Sequence, residues 1–118
     1  MTVQELFSLL NADYENVISR LMTEERVAKY LRRFTETTDY ADLKTAVNNN
    51  DWEKAFLAVH TLKGMALNLG LSALASASSN LTEELRGGLK SESAALNYFS
   101  EVTDEYNRTI EAINHLDA

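Results

Sequence analysis

No proline occurs in these 118 residues, and the only glycines are Gly64, Gly70, Gly87 and Gly88. Proline would lock φ and remove a backbone donor, and glycine is the default residue where a chain must turn left-handed. A chain without the first and almost without the second is free to run in long helices. β-branched residues are sparse, Ala, Leu, Glu and Asn are common, and no stretch of Val, Ile or Thr alternates with polar residues. The pattern predicts an all-α fold.

Composition sets the outer limits. Apolar residues make up 45% of the chain and charged ones 25%, the balance of a folded globular protein rather than a disordered tail. Residues 1–118 therefore read as one domain, long enough to bury a core. Eleven Lys and Arg against 18 Asp and Glu leave a formal charge of −7, which argues against a nucleic-acid partner. Cysteine is absent, so there is no disulfide framework, thiol nucleophile or cysteine metal site. The first basic residue is Arg20, so the charged n-region of a signal peptide is missing. No apolar run approaches the roughly 18 residues of a membrane span. The expectation is a soluble, cytoplasmic monomer with no membrane partner.

Residues 1–50 read as a series of short N-terminal helices. Thr2 suits an N-cap with Glu5 completing a capping box, followed by Val3, Leu6, Phe7 and Leu10 as an apolar stripe. Asn11 or Asp13 opens a second segment carrying Tyr14, Val17, Ile18, Leu21 and Met22 at helical spacing. Thr23 caps a third, with Val27, Tyr30, Leu31 and Phe34 on one face and a supportive Glu25–Lys29 pair on the other. Thr35 to Asp39 is a polar break before Tyr40, Leu43, Ala46 and Val47.

Residues 51–118 read as three core bundle helices. Asp51 caps the first, in which Trp52, Ala55, Val59, Leu62, Ala66 and Leu69 recur at spacings of 3, 4, 3, 4 and 3, a seam of a/d type. Trp52 is the anchor at its start. Gly70 ends this helix in a left-handed conformation. Ser72 caps the next, with Leu74, Ala77, Leu81 and Leu85 as its seam and small residues over 73–79. Gly87-Gly88 is a turn, and Ser91 or Ser93 caps a final helix with Leu96, Phe99, Val102, Tyr106, Ile110, Ile113 and Leu116. Connections this short favour antiparallel neighbours and an up-and-down bundle.

One segment departs from a plain bundle: Val59-His60-Thr61-Leu62-Lys63-Gly64. His60 lies between two seam positions and so projects about 100° or more away from the core. Lys63 and Gly64 follow at i+3 and i+4, on the same side. A glycine within a helix costs around 1 kcal/mol relative to alanine, so Gly64 needs a reason. Leaving out its side chain one turn from His60 gives a bulky group or a partner's backbone room to approach the imidazole. Imidazole is nucleophilic near neutral pH without an activating base. An accessible His60 beside the Lys63 ammonium therefore suits attack on a phosphoryl group, with Lys63 offsetting the charge of the product.

His60-Thr61-Leu62-Lys63-Gly64, continuing through Ala66, Leu69-Gly70-Leu71 and Leu74 to Leu81, resembles the histidine-containing phosphotransfer (HPt) domain family. The resemblance implies an antiparallel four-helix bundle with an additional N-terminal helix packed near one end. It implies that His60 accepts a phosphoryl group on Nε2 from the phospho-aspartate of a response-regulator receiver domain and passes it to another receiver. It also implies a histidine kinase among the partners, with Lys63 as the phosphate-side lysine and Gly64 as the clearance glycine. Val59 stands where alanine often precedes the histidine, and Thr82 stands where many members carry glutamate. Both bear on packing or partner choice.

The chain reads as a phosphoryl carrier rather than an enzyme. It has no P-loop or other glycine-rich nucleotide motif, and no aspartate cluster of the kind that holds Mg²⁺. The expectation is no cofactor of its own, with Mg²⁺ held in the partner receiver. A kinase dimerisation helix would show His followed by Glu and a nearby Pro, whereas Thr61 follows His60 here.

Around His60, one and two turns away, lie Glu53, Phe56, Leu57, Leu67 and Asn68 as candidate partner-binding residues, with Lys54 as a further local cation. Phe56, Leu57 and Leu67 equally suit a second core stripe covered by the N-terminal helices. Arg26, Lys29, Arg32 and Arg33 read as a solvated basic face. His115 reads as a structural residue near a helix C-terminus, and two histidines without a Glu-x-x-His motif argue against a metal site. The alternative function is a helical adaptor that is not phosphorylated and that docks and inhibits a receiver or histidine kinase. A general-base enzyme ranks below both, for want of a carboxylate or serine in recognisable relation to His60.

Overall fold

In the computed structural model, which describes residues 1–117, helices start largely where side chains can satisfy the free N–H groups of a first turn. Thr2 and Glu5 form the capping box of α1 (Val3–Leu9). Asp13 caps α2 (Tyr14–Leu21) and Thr23 caps α3 (Glu24–Phe34). After α4 (Asp39–Asn48), which has no side-chain cap, Asp51 caps α5 (Trp52–Asn68). Next comes α6 (Ser72–Leu85), and Ser91 caps α7 (Glu92–Asn114). Asp13 and Ser91 thus take the roles left open against Asn11 and Ser93. Ser72 does not cap α6 as expected. Gly70 bends the chain so that Leu71 occupies the cap position, and the Ser72 hydroxyl donates back to the Gly70 carbonyl at 3.3 Å.

The fold is all-helical, with no strand among the described residues. Helices α4 to α7 form the antiparallel bundle, linked by residues 49–51, 69–71 and 86–91. Its fourth helix, α4, comes from the N-terminal 50 residues. The seam of α5 is buried as its spacing predicts: Ala55, Val59, Leu62 and Ala66, joined by Ala58, lie between α4 and α6. Trp52 is only half-buried. On α6 the expected Leu74, Ala77, Leu81 and Leu85 are buried together with Ser78 and Thr82. The Thr82 hydroxyl donates to the Ser78 carbonyl at 2.7 Å, so this departure from the family pattern sits inside the bundle.

The buried line of α7 differs from the expected one. It runs through Ala95, Val102, Thr109, Ala112 and Ile113, while Leu96 is 44% exposed and Phe99, Tyr106, Ile110 and Leu116 are half-buried. Aromatic stacking turns this helix. Tyr40 of α4 stacks on Phe99 at 6.3 Å and on Tyr106 at 4.2 Å, its hydroxyl pairs with that of Thr103 at 2.8 Å, and Phe34 meets Tyr106 edge-on at 5.9 Å. These contacts close the bundle from α7 back to α4.

Where the resemblance implies one extra helix, three short ones, α1–α3, cover the end of the bundle at which α5 and α7 finish. Leu6, Phe7, Val17, Val27, Leu31 and Phe34 bury their side chains there. Asp13 N–H donates to the Gly70 carbonyl at 2.9 Å, Arg20 to the Asn68 carbonyl at 2.7 Å, and Arg108 of α7 to the Leu9 carbonyl at 2.7 Å. Two expected core positions fall outside. Met22 ends α2 with φ at +76° and is 71% exposed, because the chain reverses there in one residue before Thr23. Tyr30 is exposed, with the Arg33 guanidinium 5.6 Å from its ring centre.

Gly70 is the point on which this end closes. Its φ is +66°, and a Cβ there would lie 2.3 Å from Val17 Cγ2 and 2.9 Å from the Asp13 carbonyl oxygen. Gly70→Ala therefore combines left-handed strain with overpacking and should cost about 2–5 kcal/mol, read as a fall in the urea midpoint at unchanged m-value. Burial first, then the neighbouring Tyr40 and Asp39, holds the Tyr106 phenol above its ordinary value. The folded state thus keeps this proton more tightly than the unfolded chain does, and the associated stability is lost as pH rises beyond about 10. Melting curves from pH 9 upward should show a shallower alkaline decline for Tyr106→Phe than for the wild type.

Candidate functional site

Helix α5 buries one side against α4 and α6 and turns the other to solvent, and His60 stands midway along that free side, exposed. Lys63, one turn on, is half-buried at the α6 flank. Gly64 is exposed, and a Cβ placed on it would meet nothing within 4 Å. No packing inside the chain therefore demands a glycine at this helical position. Its effect is to leave open the surface beside the imidazole.

The candidate partner-binding residues divide by flank. Leu57 is 63% exposed and Leu67 56% exposed, and Glu53 and Asn68 are exposed as well. The N-terminal helices do not cover Leu57 and Leu67, so these two are not a second core stripe. Phe56 is different, being half-buried and packed against the core. Leu57 and Lys54 line an open hollow between α4 and α5 with Asp42, Thr45 and Thr61. Lys54 pairs with its own helix cap, Asp51, at 3.8 Å.

Two residues that the sequence did not single out join the site through tertiary packing. The Phe56 and His60 rings stack nearly parallel, 5.8 Å apart with planes at 5°, and the Arg86 guanidinium carbon lies 5.5 Å from the Phe56 ring centre. Arg86 is itself held by Glu83 one turn earlier on α6, through Nε contacts of 3.1 and 3.3 Å and an Nη2 contact of 3.2 Å. The Arg86 hydrogen bonds, aided by the charges of Arg86 and Lys63, hold the Glu83 carboxyl below the usual carboxylate range. The available signal was Glu83-x-x-Arg86 at i, i+3 just before the glycine pair. Only the pairing of α5 with α6 brings it to His60.

His115 takes no part. It caps the C-terminus of α7, its Nδ1–H donating to the Glu111 carbonyl at 2.8 Å. Arg26, Lys29, Arg32 and Arg33 are all exposed on α3. Among the described residues, no group of three or more His, Cys, Asp and Glu converges as a metal ligand set, and no helix is long and apolar enough to cross a membrane.

A bundle helix presenting a free histidine, a lysine one turn on and a cleared glycine is the arrangement expected of a phosphohistidine carrier. The family model for the Hpt domain matches residues 29–114. The chain belongs to the Hpt domain family, whose members are phosphocarriers in two-component signalling and work with receiver domains and kinases. The match begins within α3 and ends with α7, leaving α1 and α2 outside it. No curated protein and no solved structure matches the chain.

Because the space beside Gly64 is empty, Gly64→Ala should raise stability by about 1 kcal/mol, the helix-propensity difference. A thermal melt showing the variant above the wild type would confirm that nothing inside the fold needs the glycine.

Proposed function

We propose that the protein is a phosphorelay intermediate in which His60 accepts a phosphoryl group from the phospho-aspartate of a receiver domain and passes it to another. The observation that carries this reading is the exposed imidazole on α5 beside Lys63 and beside the open surface at Gly64. The lone pair on Nε2 attacks phosphorus, the P–N bond forms as the acyl phosphate P–O bond breaks, the partner's aspartate leaves as carboxylate, and Nδ1 keeps its proton. The reverse steps load the next receiver. Lys63 offsets the charge on the phosphohistidine.

Phosphoryl transfer draws on Mg²⁺ and positioned charge, which on this reading the partner's acidic pocket supplies. The protein contributes the nucleophile and the docking face and has no ATP site of its own. Glu53, Phe56, Leu57, Leu67 and Asn68 make up that face. The chain carries −7, so close apolar contact at Leu57 and Leu67, rather than long-range attraction, brings it to an acidic partner.

The decisive experiment is acid-labile, base-stable ³²P transfer from a phosphorylated receiver domain, with His60→Gln alongside. Label should appear on the wild type and be absent from a folded His60→Gln. Persistent label on the variant moves the site elsewhere, and docking without transfer makes the protein an adaptor. Gly64→Leu should slow transfer at least tenfold by filling the approach path, since a 1 Å misplacement alone costs about a hundredfold. An unchanged rate would remove the clearance role.

A further inference from the structure

We propose that Glu83, Arg86 and Phe56 form a positioning relay that holds the His60 imidazole in one rotamer, ready for in-line attack. For its bearing on transfer the inference rests on the reading above, but it adds residues and a cause that neither the H-x-x-K-G pattern nor the family match supplies.

An exposed histidine on a helix is ordinarily free to exchange rotamers, and a nucleophile that must meet phosphorus in line loses rate whenever its ring turns away. His60 is exposed, yet its ring lies nearly parallel to that of Phe56, four residues earlier, at 5.8 Å and 5°. That separation falls within the range of favourable offset stacking. Phe56 can serve as a platform because it is itself half-buried against the core.

The platform is in turn held from the neighbouring helix. Arg86 sets its guanidinium on the Phe56 ring at 5.5 Å, and a cation over an aromatic ring is attractive. Arginine on a surface is usually mobile. Here three N–H···O contacts to Glu83 fix the fork, a geometry lysine cannot reproduce. The next basic residue, Lys90, is occupied elsewhere, donating to the carbonyls of Glu83, Glu84 and Arg86 at 3.0, 3.2 and 2.9 Å. It closes the end of α6 and leaves the Arg86 side chain to reach across to α5. Each link thus fixes the next: carboxylate to guanidinium, guanidinium to phenyl ring, phenyl ring to imidazole. Phe56 and Arg86 are positioning residues, since in this chain only His60 meets phosphorus.

The test uses the full chain and reads the ring before it reads the reaction. In ¹H–¹³C NMR spectra of the unphosphorylated protein, Phe56→Leu should move the His60 ring signals towards those of a free histidine. Arg86→Gln, which does not touch His60, should move them in the same direction by a smaller amount, and Glu83→Gln likewise. Phe56→Tyr should keep the wild-type positions, whereas Arg86→Lys should not restore them. In transfer from a phosphorylated receiver, Arg86→Gln should be about tenfold slower than wild type and Phe56→Leu slower still, below the roughly hundredfold limit of a 1 Å displacement. For Arg86→Gln the total label taken up should be unchanged.

His60 signals unmoved by Arg86→Gln would overturn the relay even if transfer slows, because Arg86 would then act on the partner. Signals that move while the transfer rate stays at the wild-type value would overturn it as well. If the wild type takes up no label, the phosphorelay reading fails, and the NMR series alone decides whether the relay holds the ring.

Discussion

Everything in this molecule is arranged around the burial of one side of α5. Ala55, Ala58, Val59, Leu62 and Ala66 are sealed between α4 and α6, and three of the five are alanines, so the neighbouring backbones approach closely. A helix packed on two neighbours in this way has one strip left for solvent. His60, Gly64, Leu57 and Leu67 occupy that strip. The same packing that stabilises the bundle therefore orients the histidine, and its placement needs no loop. A site on a rigid element keeps its geometry more tightly than one on a connection.

The two ends of the bundle are closed by different means. At the end where α5 and α7 finish, the apolar faces of α1–α3 and the tight seat at Gly70 form a lid, stitched by Arg20 and Arg108 to backbone carbonyls. At the other end no helix among the described residues covers the bundle. Lys90 there donates to two terminal carbonyls of α6 and to that of its cap residue Arg86, as a cation at a helix C-terminus should, and Gly87 and Gly88 turn the chain with open space around both. The proposed relay through Arg86 lies at this lighter end. The histidine is thus flanked by a thickly packed lid on one side and a short, sparsely covered turn on the other.

The proposed function asks little catalysis of the chain. A carrier must accept and give up the same group, so its nucleophile should be accessible, correctly oriented and close to a compensating charge without being locked to it. On the proposed reading, the exposed His60 answers the first need, its stack on Phe56 the second and Lys63, one turn on, the third. Lys63 also lies close enough to Glu83 for its charge to favour the Glu83 carboxylate, after the hydrogen bonds and charge of Arg86.

Much of this was legible without coordinates, and for local reasons. Missing proline, the apolar period and the capping residues at Thr2, Thr23 and Asp51 each act within a turn or two of chain, so the helices and the seam of α5 could be read directly. The His60-x-x-Lys63-Gly64 spacing was equally local, because i, i+3 and i+4 share a face on any helix. What escaped depended on partners far away in sequence. Phe99 and Tyr106 are drawn towards Tyr40, which shifts the buried line of α7 away from Leu96. Met22 leaves the core because the chain must reverse before Thr23. Whether Leu57 and Leu67 were core or surface depended on where α1–α3 pack, and no periodicity within α5 carries that information. The Arg86–Phe56 contact exists only because α6 runs back along α5. By itself the sequence determined the helices, the seam and the common face of His60, Lys63 and Gly64, since each is set by neighbours along the chain. Tertiary structure alone decided what stays exposed beside the histidine and what backs the ring it stacks on, since those are set by neighbours in space.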